Sequence, residues 1–483
     1  MGFRSKFENA EKALTFNDVL LLPGWTTLEP SDADVKTRVT TNFELNIPLI
    51  ASPMDTVTEA EMAIALAREG SLGVLHRNCS LQEEVDMARR VKRAEAVIIR
   101  DVVTVGPDMT VAELLSMMEE HGIKGFPVVE DSGELQGIVT WRDVRLADSS
   151  LRIRDVMTEE VVTGNEDTEI DEAMKILHEH RIEKLPIVDK DNRVQGLITM
   201  KDITLKGTFK DAVRDEEGRL LCAAAISPFD LQRAKVLDRY VDVMVLDVSH
   251  FHNKNVFDAT KKVLKEVSAD VIVGNIGTYQ AAEDIITQLN GVAGLRVGIG
   301  SGSICSTSVV TRAGAPTLFA TSQVADAVKD YESDIPIIAD GGMRNPGDVA
   351  VAMAVGASAA MMGNVFAGCR ESPGRLVAME GRYYKEYYGM GSAKARQKRF
   401  AQDRYSQPSK SVNEGVEGWV PFRGPVKEIL SEFTGGLKAA MGYVGAATIP
   451  EVWEKAKLAL ITEHGARDAA PHDIFRPGPN RTL

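Results

Sequence analysis

Eight short apolar runs, most of them separated by a stretch with helical spacing, constrain the fold of this chain more than any other feature. The runs are Ile47–Ala51, Leu72–Leu75, Leu220–Ile226, Val243–Asp247, Val271–Asn275, Leu295–Ile299, Pro336–Asp340 and Ala359–Gly363. Helix-like stretches at Glu59–Glu69, Leu81–Arg93, Phe229–Leu237, Asn255–Val267, Thr278–Leu289, Ser322–Tyr331 and Pro346–Val355 follow seven of them. A strand apolar along its whole length needs cover on both faces, and a helix after each strand of a parallel sheet supplies it. The pattern predicts an α/β fold, a closed (β/α)8 barrel. The loops after the strands then form the active-site face. Ser52, Asp247, Asn275, Cys305, Asp340-Gly341-Gly342 and Gly363-Asn364 all fall at or just after those strand ends. Each alone is an ordinary turn residue. Their joint placement makes them a candidate site.

The alternation breaks between the second and third runs, and the break contains a repeat. Val111–Ile123 aligns with Ile170–Ile182, Gly125–Val129 with Lys184–Val188, and Gly137–Val144 with Gly196–Ile203, always at an offset of 59 residues. A constant offset over three blocks marks a duplicated supersecondary unit. Each copy reads strand, helix, strand, strand, helix. The expected organisation is therefore a barrel in two parts, 1–96 and 208–483, around an insert at 97–207 with halves at about 97–150 and 156–207.

One stretch carries most of the chemistry: Val297-Gly298-Ile299-Gly300-Ser301-Gly302-Ser303-Ile304-Cys305-Ser306-Thr307. The glycines let the backbone approach a ligand closely and form an anion- or cation-binding nest. The loop presents a cysteine beside hydroxyls, and a thiolate is a strong nucleophile when its environment favours ionisation. The plain alternative is a glycine turn with a structural cysteine.

Net charge is −14, which argues against nucleic acid or an anionic membrane as a partner. No apolar run approaches the length of a membrane span and no signal peptide is recognisable. The four cysteines, 79, 222, 305 and 369, show neither paired nor zinc-type spacing, so a reduced cytoplasmic setting is expected. Cys222 reads as core. Beyond residue 363, Tyr383–Ser392 is rich in aromatics and glycine. Ala393–Val416 is polar without periodicity and reads as a long mobile loop, a flap. Gly435–Ala447 reads as helix, and 464–483 as a polar tail.

With these features assembled, the chain resembles the IMP dehydrogenases and, more distantly, the GMP reductases that share their TIM barrel and cysteine loop. The motifs are Leu14–Pro23, Ser52-Pro53-Met54-Asp55-Thr56-Val57-Thr58-Glu59, the loop to Cys305 and Thr307, Ala339–Gly342, Tyr388-Gly389-Met390-Gly391-Ser392 and Glu414-Gly415-Val416-Glu417-Gly418. The insert resembles a tandem pair of CBS domains, a Bateman module. That likeness implies ATP- or GTP-type nucleotides near Thr140/Asp143 and Thr199/Asp202, although Thr and Asp also serve as cap residues.

The resemblance implies an NAD-dependent oxidation of IMP to XMP. Cys305 is the nucleophile on the purine, with Thr307 beside it. Arg404 and Tyr405, on the flap, activate water. Ser52, Met54, Ser303, Asp340, Gly341, Gly342, Gly363, Asn364, Tyr387, Gly389, Met390, Gly391 and Glu414 hold IMP. Asp247, Asn275, Arg296, Gly298 and Gly300 lie on the cofactor side. Carbonyls of Gly300, Gly302 and Cys305 match a potassium site. A homotetramer, extending to an octamer through the insert, is the implied assembly.

The alternatives are an NADPH-dependent GMP reductase, which needs Cys305, Thr307 and Glu414 but not the Arg-Tyr pair, and an inactive nucleotide sensor. Several positions depart from the family pattern. Cys305-Ser306-Thr307-Ser308 stands for Cys-Thr-Thr-Arg, Asn364 for serine, and Tyr388 for the arginine before Gly-Met-Gly. Gly368-Cys369-Arg370-Glu371-Ser372-Pro373-Gly374 stands for Gly-Thr-Asp-Glu-Ala-Pro-Gly.

Overall fold

The computed structural model describes residues 3–94, 102–165, 168, 170–200, 208–398, 400 and 414–471. The chain packs as two compact units. The first comprises Met1–Lys92, Asp211–Asp215 and Leu220–Leu483; the second comprises Arg93–Lys210 and Glu216–Arg219.

The first unit is built on a closed barrel of eight parallel strands: β1 (Leu49–Ala51), β2 (Leu72–Leu75), β3 (Ala223–Ile226), β4 (Val243–Asp247), β5 (Asp270–Ile276), β6 (Val292–Val297), β7 (Ile337–Asp340) and β8 (Ala359–Met362). Pairing runs in order from β3 to β8, then to β1 and β2, and β2 closes onto β3. Every strand predicted from the apolar runs is present, with ends shifted by a few residues. Leu220 and Leu221 are buried but precede β3, and Ile299 lies beyond β6.

Helices surround the barrel: α1 (Ala60–Arg68), α2 (Leu81–Arg93), α3 (Leu231–Leu237), α4 (Lys254–Glu266), α5 (Tyr279–Gln288), α6 (Thr317–Asp330) and α7 (Pro346–Ala354). Side-chain caps fix several starts. Asp230 accepts from Arg233 N, Thr278 from Ala281 N and Asn345 from Asp348 N, each satisfying an orphan N–H of the first turn. The helix after β8 is only Asn364–Ala367. The eighth cover comes from α8 (Val426–Val444), which packs against both α7 and α1. It begins nine residues before the helix predicted at Gly435, because its first turns bury Val426, Ile429, Leu430 and Phe433 on the barrel. Gly436 lies so close to Pro346 of α7 that a Cβ would stand 2.3 Å from the proline ring. Val19–Leu21 pairs antiparallel with Leu458–Leu460. Arg382–Tyr388 is the central strand of a small sheet with Leu376–Met379 and Glu417–Pro421.

The second unit repeats one pattern. Val111–His121 is followed by strands Gly125–Val129 and Leu135–Thr140; Ile170–Glu179 is followed by Lys184–Val188 and Val194–Thr199. Corresponding strands keep the offset of 59, as in 184 − 125 and 194 − 135. Each copy has its own core, around Phe126 and Leu114 in one and Leu177 and Leu185 in the other. Thr140 and Asp143 form a capping pair: Asp143 Oδ2 accepts from the Thr140 N–H and hydroxyl, both at 2.7 Å. That is the cap role named above as the alternative to nucleotide contact. Asp202 lies outside the described residues.

Among the described residues no helix is long and apolar enough to cross a membrane.

Candidate active site

The loops after the barrel strands line a cavity open to solvent. Cys305 is on its wall, partly exposed, whereas Cys79, Cys222 and Cys369 are buried. Burial pushes the Cys79 and Cys369 thiols up to about 12, so neither is a thiolate near neutral pH.

Two glycines set the course of the cysteine loop. Gly298 has φ +124°, and a Cβ there would meet Asp340 O at 2.6 Å. Gly300 has φ +83°, and a Cβ would meet Ser308 Oγ at 2.1 Å. Both positions combine left-handed backbone with close approach, so only glycine fits. The loop is then pinned from the far end of the chain. Ser306 N–H donates to Glu414 O at 3.2 Å, Val416 N–H to Ile304 O at 3.0 Å, and Glu414 N–H to Gly391 O at 3.1 Å. Residues 304–306, 389–391 and 414–416 thus stack as one wall.

This stacking builds a hydrogen-bonded chain. The Cys305 thiol lies 3.3 Å from Thr307 Oγ1, whose hydroxyl donates to Glu414 Oε2 at 2.8 Å. Glu414 is buried. The arrangement can carry a proton from the nucleophile to a carboxylate through one hydroxyl.

Across the cavity, Asp340 ends β7. Its Oδ2 accepts from Arg296 Nε at 2.9 Å and Asn275 Nδ2 at 2.8 Å, and lies 2.8 Å from Arg296 Nη2. These bonds all fall on one oxygen and leave Oδ1 to a ligand hydroxyl. Arg296 also donates to Asp247 Oδ1 at 2.6 Å. Asp247 is 1% exposed and is not on the cavity wall; it supports Arg296 from behind. Arg77 Nη2 in turn donates to the Asp247 carbonyl at 3.1 Å.

Ser52, Met54, Ser303, Gly341, Gly342, Gly363, Asn364, Tyr387, Gly389, Met390 and Gly391 share the same wall with Asn275, Arg296, Gly298, Gly300 and Gly302. The Gly341 N–H donates to Met361 O at 3.0 Å. The Tyr387 hydroxyl is held protonated well above the ordinary phenol range, first by burial and then by Asp340 and Cys305. It lies 3.9 Å from Met54 Sδ. Arg404 and Tyr405 lie outside the described residues. The segment read as a mobile loop begins instead with a helix at Ala393–Gln397, capped by Ser392.

A family model described as "IMP dehydrogenase / GMP reductase domain" matches residues 13–472. The chain belongs to the IMP dehydrogenase / GMP reductase family. It is 54% identical over 470 residues to an inosine-5'-monophosphate dehydrogenase of Korarchaeum cryptofilum, covering 97% of this chain and 98% of that one. It is 48% identical over 474 residues to the enzyme of that name from Thermoplasma acidophilum, covering 98% and 96%. A crystal structure of GMP reductase from Trypanosoma brucei with guanosine 5'-monophosphate superposes with a TM-score of 0.88 at 34% identity, covering 97% of this chain and 100% of that one. The protein is thus an oxidoreductase of this family acting on IMP or GMP.

Sequence reasoning missed several wall residues of this family member: Ser249, Ser301, Ile304, Met343 and Met362. Ser249 follows β4 by two residues, and the strand-end rule would have found it. Met343 and Met362 carry no polar signal in the sequence.

Proposed function

We propose that the chain is an NAD-dependent IMP dehydrogenase, oxidising IMP to XMP in guanine nucleotide synthesis through a covalent intermediate on Cys305. The observation that carries the chemistry is the chain Cys305–Thr307–Glu414 facing Asp340 across one cavity. The choice of direction leans on the relatives named as dehydrogenases and on Arg404-Tyr405 in the sequence.

The Cys305 thiol gives up its proton toward Thr307 and Glu414, and sulfur bonds to C2 of the purine. A nicotinamide dinucleotide, when bound, accepts the hydride that leaves C2. Asp340 orients the ribose by accepting from its hydroxyls, while Arg296 and Asn275 hold Asp340 still. Met54 and Met390 exclude water from the apolar part of the wall. Water then adds its oxygen to C2, the sulfur–carbon bond breaks, and the thiol recovers a proton. Arg404 and Tyr405 are proposed to take the proton from that water. The oxygen-only donor set at Gly300, Gly302 and Cys305 suits a hard monovalent cation such as potassium. The Gly302 carbonyl already accepts from Cys305 N–H at 3.0 Å, and its second lone pair remains for the ion. We further propose that the second unit is the tandem CBS module, binding ATP- or GTP-type nucleotides, and that the assembly is a homotetramer.

A second reading has its own support. A GMP reductase requires the Thr-Glu pair beside the cysteine, and Thr307 and Glu414 are hydrogen-bonded there. The Trypanosoma brucei reductase also aligns over 97% of this chain, so the second unit does not discriminate.

Purified protein is mixed with IMP, NAD and potassium, and separately with GMP and NADPH, while nicotinamide absorbance is followed. Rising absorbance with XMP formed supports the dehydrogenase. Falling absorbance with IMP and ammonia released establishes the reductase. In a dehydrogenase, Arg404→Ala keeps the first hydride transfer and loses hydrolysis.

A further inference from the structure

A buried carboxylate outside the cavity joins three segments of the active-site face. Asp55 follows β1 and is 5% exposed. Its Oδ2 accepts from Asn78 Nδ2 at 2.9 Å and from the Tyr388 hydroxyl at 3.1 Å, and it lies 3.1 Å from Lys398 Nζ. Asn78, in the loop after β2, also donates to Ala395 O at 3.1 Å. Behind it, His76 Nδ1 accepts the Asn78 N–H at 3.1 Å, and His76 Nε2 lies 3.4 Å from Glu59 Oε1. An accepting Nδ1 places the ring proton on Nε2, facing Glu59.

A carboxylate removed from water requires donors and a compensating charge. Tyr388 brings a donor alone. The charge comes from Lys398, ten positions later. Asp55 therefore ties down Tyr388 at one end and Lys398 at the other. Between them lie Gly389–Gly391, part of the cavity wall, and Gly391 O holds the Glu414 backbone.

We propose that Asp55 is a positioning residue for wall segment 388–398, with Tyr388 supplying a hydrogen-bond donor at one end and Lys398 the compensating charge at the other. It acts on the reaction through Glu414, so its kinetic consequence rests on the function proposed above. Its structural consequence does not.

Asp55→Asn is the direct perturbation but risks the fold. Lys398 is half-exposed, so Lys398→Met tests the idea in an intact barrel. In the full-length protein without substrate, amide exchange of residues 393–398 is expected to quicken roughly two- to fivefold. Turnover with the active nucleotide pair is expected to fall by a similar factor with circular dichroism unchanged. Adding Tyr388→Arg to Lys398→Met returns charge to Asp55, and both readouts are expected to recover. Unchanged exchange in Lys398→Met overturns the proposal. So does faster exchange that Tyr388→Arg does not reverse, or faster exchange with unaltered turnover. If neither nucleotide pair is turned over, the proposed function fails while the exchange measurements still decide the anchor.

Discussion

Replacing Arg296 by methionine removes one cation from a buried set of four charged groups. Arg77 and Arg296 face Asp247 and Asp340, two positive against two negative, and both arginines and Asp247 are almost fully buried. Arg296 makes hydrogen bonds of 2.6 Å to Asp247 and 2.9 Å to Asp340. Without it, Asp340 keeps Asn275 among the described residues, and Asp247 keeps Arg77, whose Nε stands 3.9 Å from its carboxylate. Breaking a buried pair from one side costs about 3–5 kcal/mol, because the surviving charge stays desolvated. The residual contacts place Arg296→Met toward the lower part of that range, about 3 kcal/mol. Chemical denaturation followed by circular dichroism measures it. Adding Asp340→Asn removes the excess negative charge, so the double variant is expected to regain about 1–2 kcal/mol over Arg296→Met. A loss below about 1 kcal/mol, or strict additivity of the two substitutions, would refute the reasoning.

Thr307→Val removes the hydroxyl between Cys305 and Glu414, and turnover is expected to drop about 10²-fold while nucleotide affinity, read by calorimetry, stays the same. Gly300→Ala drives a Cβ to 2.1 Å from Ser308 Oγ at φ +83°; activity is expected to vanish with the barrel's circular dichroism intact, and an active variant would contradict the loop geometry. Glu84 is fully buried, and burial pushes its carboxyl up to about 8 against the opposing pull of Arg233. The folded protein therefore keeps a proton there that the unfolded chain releases near 4.5. Its contribution to stability is complete below that value and is lost as pH rises toward 8, by a few kcal/mol at most, at about 1.4 kcal/mol per pH unit. Glu84→Gln should flatten melting temperature against pH over that window, and an unchanged slope would count against the assignment.

The barrel was legible because its signal is local. Eight apolar runs and the spacing after them report which faces must be covered, and each strand end predicts a loop on the functional face. Asp340 and Asn275 were found by that rule, and Cys305 by it together with the glycines that precede it. The helix at Ala393–Gln397 was missed because Lys394, Arg396 and Lys398 mask any apolar period, and its fixed points are a Ser392 cap and a carboxylate at position 55. The start of α8 was missed because the glycine-rich half drew the boundary, while the burial that makes Val426–Phe433 helical comes from α1 and α7.

The sequence by itself determined the number and order of the barrel strands, the 59-residue repeat, and the loop that presents Cys305, since apolar period and glycine placement are properties of neighbouring residues. Tertiary structure alone decided that Glu414 lies 2.8 Å from a hydroxyl 107 positions earlier, that Asp247 stands behind Arg296 rather than on the cavity wall, and that Lys398 Nζ stands 3.1 Å from the Asp55 carboxylate. Those are relations between segments remote in the chain, and only barrel closure, by burying apolar strands against one another, brings them to one face.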